Sequence, residues 1–151
     1  MKHIDEMIYE AIVADESLMA IIGDENRVTS TCFAIPPDKE DNTPLPNIII
    51  TDDSTQNNVS TKDDVWEGCE DQVQVSVDVA ADSPEEVRKI MGMVRLAVKR
   101  YMITRYSQNE HTPELVSLSA DGIAWDWMKP CYYERLTYTC ITKAITDDEQ
   151  P

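Results

Sequence analysis

DQVQVSVDVAADSPEEVRKIMGMVRLAVKRYM, Asp71 to Met102, reads as one strand followed by one helix. Val73, Val75, Val77 and Val79 alternate with Gln72, Gln74, Ser76 and Asp78, a period of two that buries one face and wets the other. Ser83 stands where an N-cap belongs, and Pro84 takes the first helical position, where its missing N–H costs nothing. Glu86 lies three residues after the cap and predicts a capping box. The same helix concentrates charge. In a chain of net charge −16, Arg88, Lys89, Arg95, Lys99, Arg100 and Arg105 place six of the 13 basic residues in the window 88–105, with no acid inside it.

Working outward, Ile4, Met7, Ile8, Ala11 and Ile12 carry the spacing of an amphipathic helix. Asp15 breaks that helix and caps a second short one over Glu16 to Ile22, which Gly23 ends. Val28 to Ile35 is rich in β-branched residues and predicts a strand. PPDKEDNTPLP (Pro36 to Pro46) holds four prolines and is a surface loop. NIIIT (Asn47 to Thr51) is a short apolar strand. From Asp52 to Glu70 the chain is polar. Nineteen residues is long for a connection, so 52–70 is expected to be an extended hairpin arm or a mobile loop. Trp66 inside it either folds back over the core or contacts a partner.

Beyond the helix, Leu115 to Ser119 and Ile123 to Met128 are expected as two strands turning at Asp121-Gly122. Tyr132 to Ile145 alternates again, with Tyr132, Leu136, Tyr138 and Cys140 on one side and Tyr133, Arg135, Thr137 and Thr139 on the other. Residues 146–151 form an acidic tail expected to fray. The whole, 1–151, reads as a single α+β domain. Its mainly antiparallel sheet of about four to five strands has an N-terminal helix and one long central helix packed on one face.

Composition narrows the function. A chain of 151 residues can bury a real core. It has no apolar run long enough for a transmembrane helix, and MKHIDEMIYEAI has acids inside its apolar pattern, unlike a signal peptide. No membrane role and a cytoplasmic site of synthesis are expected. Cys32, Cys69, Cys131 and Cys140 show no CxxC spacing, and His3 and His111 lie far apart, so neither a metal site nor a cofactor is expected. Acids outnumber bases 29 to 13, which argues against sequence-specific nucleic-acid binding. Such acidity instead suits solubility, a soluble inhibitor that mimics DNA, or the lining of a passage to which DNA must not stick.

No catalytic constellation emerges. There is no P-loop and no GxGxxG, and His111 sits in a loop sequence, HTPE. Asp52-Asp53, Asp63-Asp64, Asp121, Asp126 and Glu134 have the contexts of solvated loop and strand acids. A non-enzymatic protein is the expectation.

The helix has two apolar faces. With Val87 at zero on a wheel of about 100° per residue, Ile90, Met91, Val94, Ala97, Val98 and Tyr101 cluster near it as the core face. Gly92, Leu96 and Ile103 fall at about 140–180° and Met93 at about 240°, with Lys89 and Arg100 between at about 200–220°. Lys89, Gly92, Met93, Leu96, Arg100 and Ile103 are therefore a candidate subunit interface, expected to dock on an acidic face of another copy, and Trp66 is a candidate partner contact; the alternative is that the Asp52 to Glu70 loop covers Leu96 and the basic residues only offset a helix end. Opposite charge on two patches of one protein suits head-to-tail association, which closes into a ring when the rotation permits.

Ordered this way, the chain resembles the phage tail-terminator family, also called tail-completion or head–tail joining minor tail proteins. The resemblance lies in the N-terminal helix with its Asp-Glu-Ser-Leu break and Gly23, the phrase LPNIIITDDST (Leu45 to Thr55), VQVSVDVAADSPEEVRKIMGMVRLAV (Val73 to Val98), and a closing pair of strands. It covers residues 4–103 well and the last third loosely. Asn47 departs from the aromatic common in the Leu-Pro phrase. The resemblance implies a structural protein without enzymatic activity. It implies a ring, commonly a hexamer, that caps the tail tube and joins it to the head connector. Such a protein is cytoplasmic during assembly and then part of the virion tail; the alternative reading is another phage neck or adaptor protein of similar fold.

Overall fold

The computed structural model describes residues 2–30, 44–58 and 70–143. Helices α1 (Ile4–Ala14) and α2 (Glu16–Ile22) meet at Asp15, whose carboxylate accepts from the Leu18 N–H at 2.9 Å. Gly23 ends α2 at φ +92°, the left-handed conformation that glycine adopts without steric cost. A single 3₁₀ turn, Glu25–Arg27, leads into β1 (Val28–Ser30). The Arg27 guanidinium donates to the carbonyls of Ile22 and Leu45, both at 3.1 Å, and ties the start of the next strand to the end of α2.

Strand β2 (Asn47–Asn58) runs far past the expected Thr51 and pairs antiparallel with β3 (Glu70–Ala81) from Asn47↔Ala80 to Asn58↔Glu70. The polar stretch after Thr51 is thus in part the outer half of a long hairpin. A bulge at Asp53 keeps it in register, and the Asp53 carboxylate accepts from the Ser76 hydroxyl at 2.6 Å. Residues 31–35 of the expected first strand, the rest of the 52–70 segment with Trp66, and the acidic tail lie outside the described residues.

Helix α3 (Pro84–Ser107) begins as expected at Ser83, whose hydroxyl accepts from the Glu86 N–H at 3.2 Å. The capping is one-sided, because no return bond joins the Glu86 carboxylate to Ser83. The helix continues to Ser107, and Arg105 closes its end. That guanidinium donates to the His111 carbonyl, pairs with Glu110 at 2.9 Å and lies over the Tyr101 ring. The inward residues Val87, Ile90, Met91, Val94, Ala97 and Val98 are all buried, whereas Tyr101 is half-buried at the rim. Each large one contributes roughly 1.5–3 kcal/mol, against about 1 kcal/mol for the cap, so packing holds this helix and capping sets where it begins.

Strands β4 (Glu114–Ala120), β5 (Ala124–Asp126) and β6 (Cys131–Lys143) complete a six-stranded sheet ordered β1-β2-β3-β6-β4, with β5 also on β6. The fold is α+β and mostly antiparallel, with β1 parallel to β2. The described residues hold six strands where about four to five were expected, and one expectation needs correction: Asp121-Gly122 is not a hairpin turn. Both β4 and β5 pair with β6, from Ala120↔Leu136 to Ala124↔Tyr133, and the Asp121 N–H still donates to the Arg135 carbonyl at 3.0 Å. Ala120 to Asp126 is therefore one interrupted edge with a jog at Gly122, which takes φ +92°. The real hairpin turn is Trp127 to Pro130, held by the Asp126 carboxylate accepting from the Met128 N–H at 2.9 Å.

The sheet's inner face is apolar. Ile48, Ile50, Val75, Val77, Val79 and Leu136 pack against α1 and α3 in one core cluster. The opposite face is mixed, with Arg135 forked onto Asp78 at 2.8 and 3.0 Å beside an apolar hollow lined by Ile49, Ala80, Met128 and Tyr133. No helix among the described residues is long and apolar enough to cross a membrane.

Glu10 links α1 to α3. Its carboxylate accepts from Lys2 and from the Tyr101 hydroxyl, and Lys2 first, then Tyr101, hold it below the usual carboxylate range. A lowered folded-state pKa gives a contribution that is full above about pH 5 and is lost as pH falls through the lowered value. Glu10→Gln is expected to destabilise the protein at pH 7 by about 1 kcal/mol, a figure discounted for partial exposure. Thermal melts from pH 7 to 3 should show the gap between wild type and variant closing as the pH drops below about 4.

Candidate interaction surface

The helical layer stops short of the sheet's β4 edge. Contacts run from α1 to β1, β2 and β3 and from α3 to β3 and β6. Leu115 and Leu118 pair with Cys140 and Tyr138, so they share the inner face with those residues. The uncovered strip forms an open groove of about 650 Å³ between α3, the start of α1, β4 and the second half of β6. Its walls are Gly92, Leu96 and Ile103 on one side and Leu115 and Leu118 on the other. Leu96 is 45% and Ile103 58% exposed.

The six expected interface residues divide. Gly92, Leu96 and Ile103 line the groove together. Lys89 and Arg100 are exposed but lie outside it, and Met93 is half-buried against the core. The groove sits on one flank of the helix, and its cations are Arg95 and Lys99. The wheel placed both at about 80–120°, between the two apolar faces. Of the six bases on α3, Arg105 is held within the fold, whereas Arg88, Lys89, Arg95, Lys99 and Arg100 are exposed with no ion pair among the described residues.

Sequence reasoning missed the β4 wall and Tyr138. A bulge at Val116 breaks the alternation that would have marked Leu115 and Leu118 as one face. The Tyr138 hydroxyl is buried beside the groove with no hydrogen-bond partner among the described residues, and burial pushes its pKa up. Burial also raises the Cys140 thiol to about 11, so it is protonated and a poor nucleophile at neutral pH. His111 serves structure, with Nε2 2.8 Å from the Thr142 hydroxyl. Among the described residues no three His, Cys, Asp or Glu side chains converge as metal ligands do.

A second apolar feature was also missed. In the β5–β6 turn, Trp127 is 86% and Met128 91% exposed. Trp125 anchors this tip, with its ring edge-on to Tyr132 at 4.7 Å and to Trp127 at 6.1 Å.

No protein-family model matches the chain, and neither does any curated protein. Among solved structures, a chain described as "Virion of native gene transfer agent (GTA) particle" is similar with a TM-score of 0.45. It is 14% identical, over 91% of this chain and 92% of that one. A likeness that distant carries no argument about function.

Two substitutions test the groove's energetics. Nothing lies within 4 Å of a Cβ built on Gly92. Gly92→Ala should therefore stabilise the isolated chain by about 0.5–1 kcal/mol, read as a rise in Tm. Tyr138→Phe should stabilise it by about 1 kcal/mol, because it removes an unsatisfied buried hydroxyl. A clear drop in Tm would mean that the hydroxyl has a partner inside the fold.

Proposed function

We propose that this chain is a non-enzymatic structural protein of a phage or prophage tail, of the tail-terminator kind: a ring subunit that caps the tail tube and joins it to the head connector. The observation that carries the reading is the apolar, cation-rimmed groove on α3, in a chain of net charge −16. A folded protein that exposes Leu96 and Ile103 between unpaired cations retains a surface suited to a partner of opposite charge. The resemblance over residues 4–103 names the kind of assembly, and the α+β layout is compatible with it. In such a ring the acidity serves the lumen, where like charge keeps phosphate from sticking as DNA passes. The protein is made in the cytoplasm and ends in the virion tail.

The test is assembly. The chain should form rings, alone or on the ends of tail tubes, visible by mass photometry and electron microscopy. Leu96→Glu should abolish them, and Arg95→Glu should weaken them more than Arg100→Glu, which lies off the groove. A chain that stays monomeric and ignores tube ends would overturn the reading. Tight, salt-sensitive capture of a DNA-binding protein would favour the DNA-mimic alternative instead.

A further inference from the structure

The ring reading leaves open which surface of the next copy occupies the groove. We propose that the groove is a socket for a second copy of this chain, and that the plug is that copy's β5–β6 hairpin tip, Trp127 and Met128. This inference rests on the ring reading and deepens it.

Form is the first argument. The groove is concave, apolar and about 650 Å³, within the range of pockets that enclose a compact ligand. The tip carries the two most exposed large apolar side chains among the described residues. Trp125, packed on Tyr132, stiffens the base of the tip, so little ordering cost is left for docking.

Position is the second. Plug and socket sit towards opposite ends of one strand. From Cys131, next to the tip, to Tyr138, beside the groove, β6 spans roughly 20–25 Å. A tip joined to a paired strand cannot fold back over that distance, so among the described residues each copy has an unused plug and an unfilled socket. Two different patches that fit each other make a heterologous, head-to-tail contact, the type that builds rings.

Hydrogen bonding agrees. The plug's Trp127 indole N–H is a donor without an acceptor among the described residues, and Tyr138 holds an unpartnered hydroxyl beside the socket. The plug alone covers less than the roughly 800 Å² per partner of a standard interface. A single contact is therefore weak, and closing the ring supplies the avidity.

Two variants with exposed substitutions test this by mixing. Leu96→Glu spoils the socket and leaves the plug. The double variant Trp127→Ser, Met128→Ser spoils the plug and leaves the socket. Circular dichroism should show both folded, and each alone should sediment as a monomer while wild type forms species larger than a dimer. Mixed in equal amounts, they should give a 1:1 dimer that grows no further. If wild type assembles but the mixture stays monomeric, or if the plug-spoiled variant assembles like wild type, the plug and socket are wrong and the ring reading stands. If wild type and mixture are both monomeric at every concentration, the proposed contact is overturned. The ring reading then falls only if wild type also fails to bind tube ends.

Discussion

The width of the helical layer relative to the sheet is the constraint on which the rest of this molecule depends. The sheet is five strand positions wide, and at about 4.8 Å per strand that is roughly 24 Å. Two helices side by side cover about 16–20 Å. Packing α1 over β1 to β3 and α3 over β3 and β6 therefore leaves the β4 side uncovered among the described residues. The inner residues of β4 remain apolar because they are continuous with the core, and the groove is the result. The same packing that buries Val87, Ile90 and Val94 completely raises Leu96 and Ile103 along the edge of the uncovered strip.

Much of the fold was legible in the sequence because its strongest signals are periodic. Val75, Val77 and Val79 of β3 and Val87 to Val98 on the inner face of α3 are buried as their spacing requires, with Val73 and Tyr101 half-buried at the rim, and Asp15, Gly23 and Ser83 mark helix boundaries through side-chain or backbone chemistry that acts locally. What was not legible depends on partners distant in sequence. Asp121-Gly122 has the composition of a tight turn, yet the pairing of both flanking segments with β6 decides the matter. The polar outer half of β2 has no apolar alternation, because there the hairpin runs beyond the helices that would bury it.

The candidate site was half legible for the same reason. A helical wheel finds Gly92, Leu96 and Ile103 because they belong to one element. It cannot tell which flank of the helix faces an uncovered strand, so it chose Lys89 and Arg100 where the groove has Arg95 and Lys99. It also placed Met93 outside, although that long, flexible side chain reaches back to the core. The other wall comes from a strand whose alternation is interrupted. The exposed tip at Trp127 and Met128 carries no periodic signal at all.

The two irregularities in the β4–β5 edge have a consequence of their own. This edge presents backbone donors and acceptors to solvent, and a straight apolar edge strand invites unlimited sheet extension. Here the bulge at Val116 and the jog at Asp121-Gly122 bend it twice within a dozen residues, and Ser117, Ser119 and Asp121 are exposed along it. A neighbour cannot add in register along such an edge. The irregular edge thus guards a strongly β-structured protein against fibrillation.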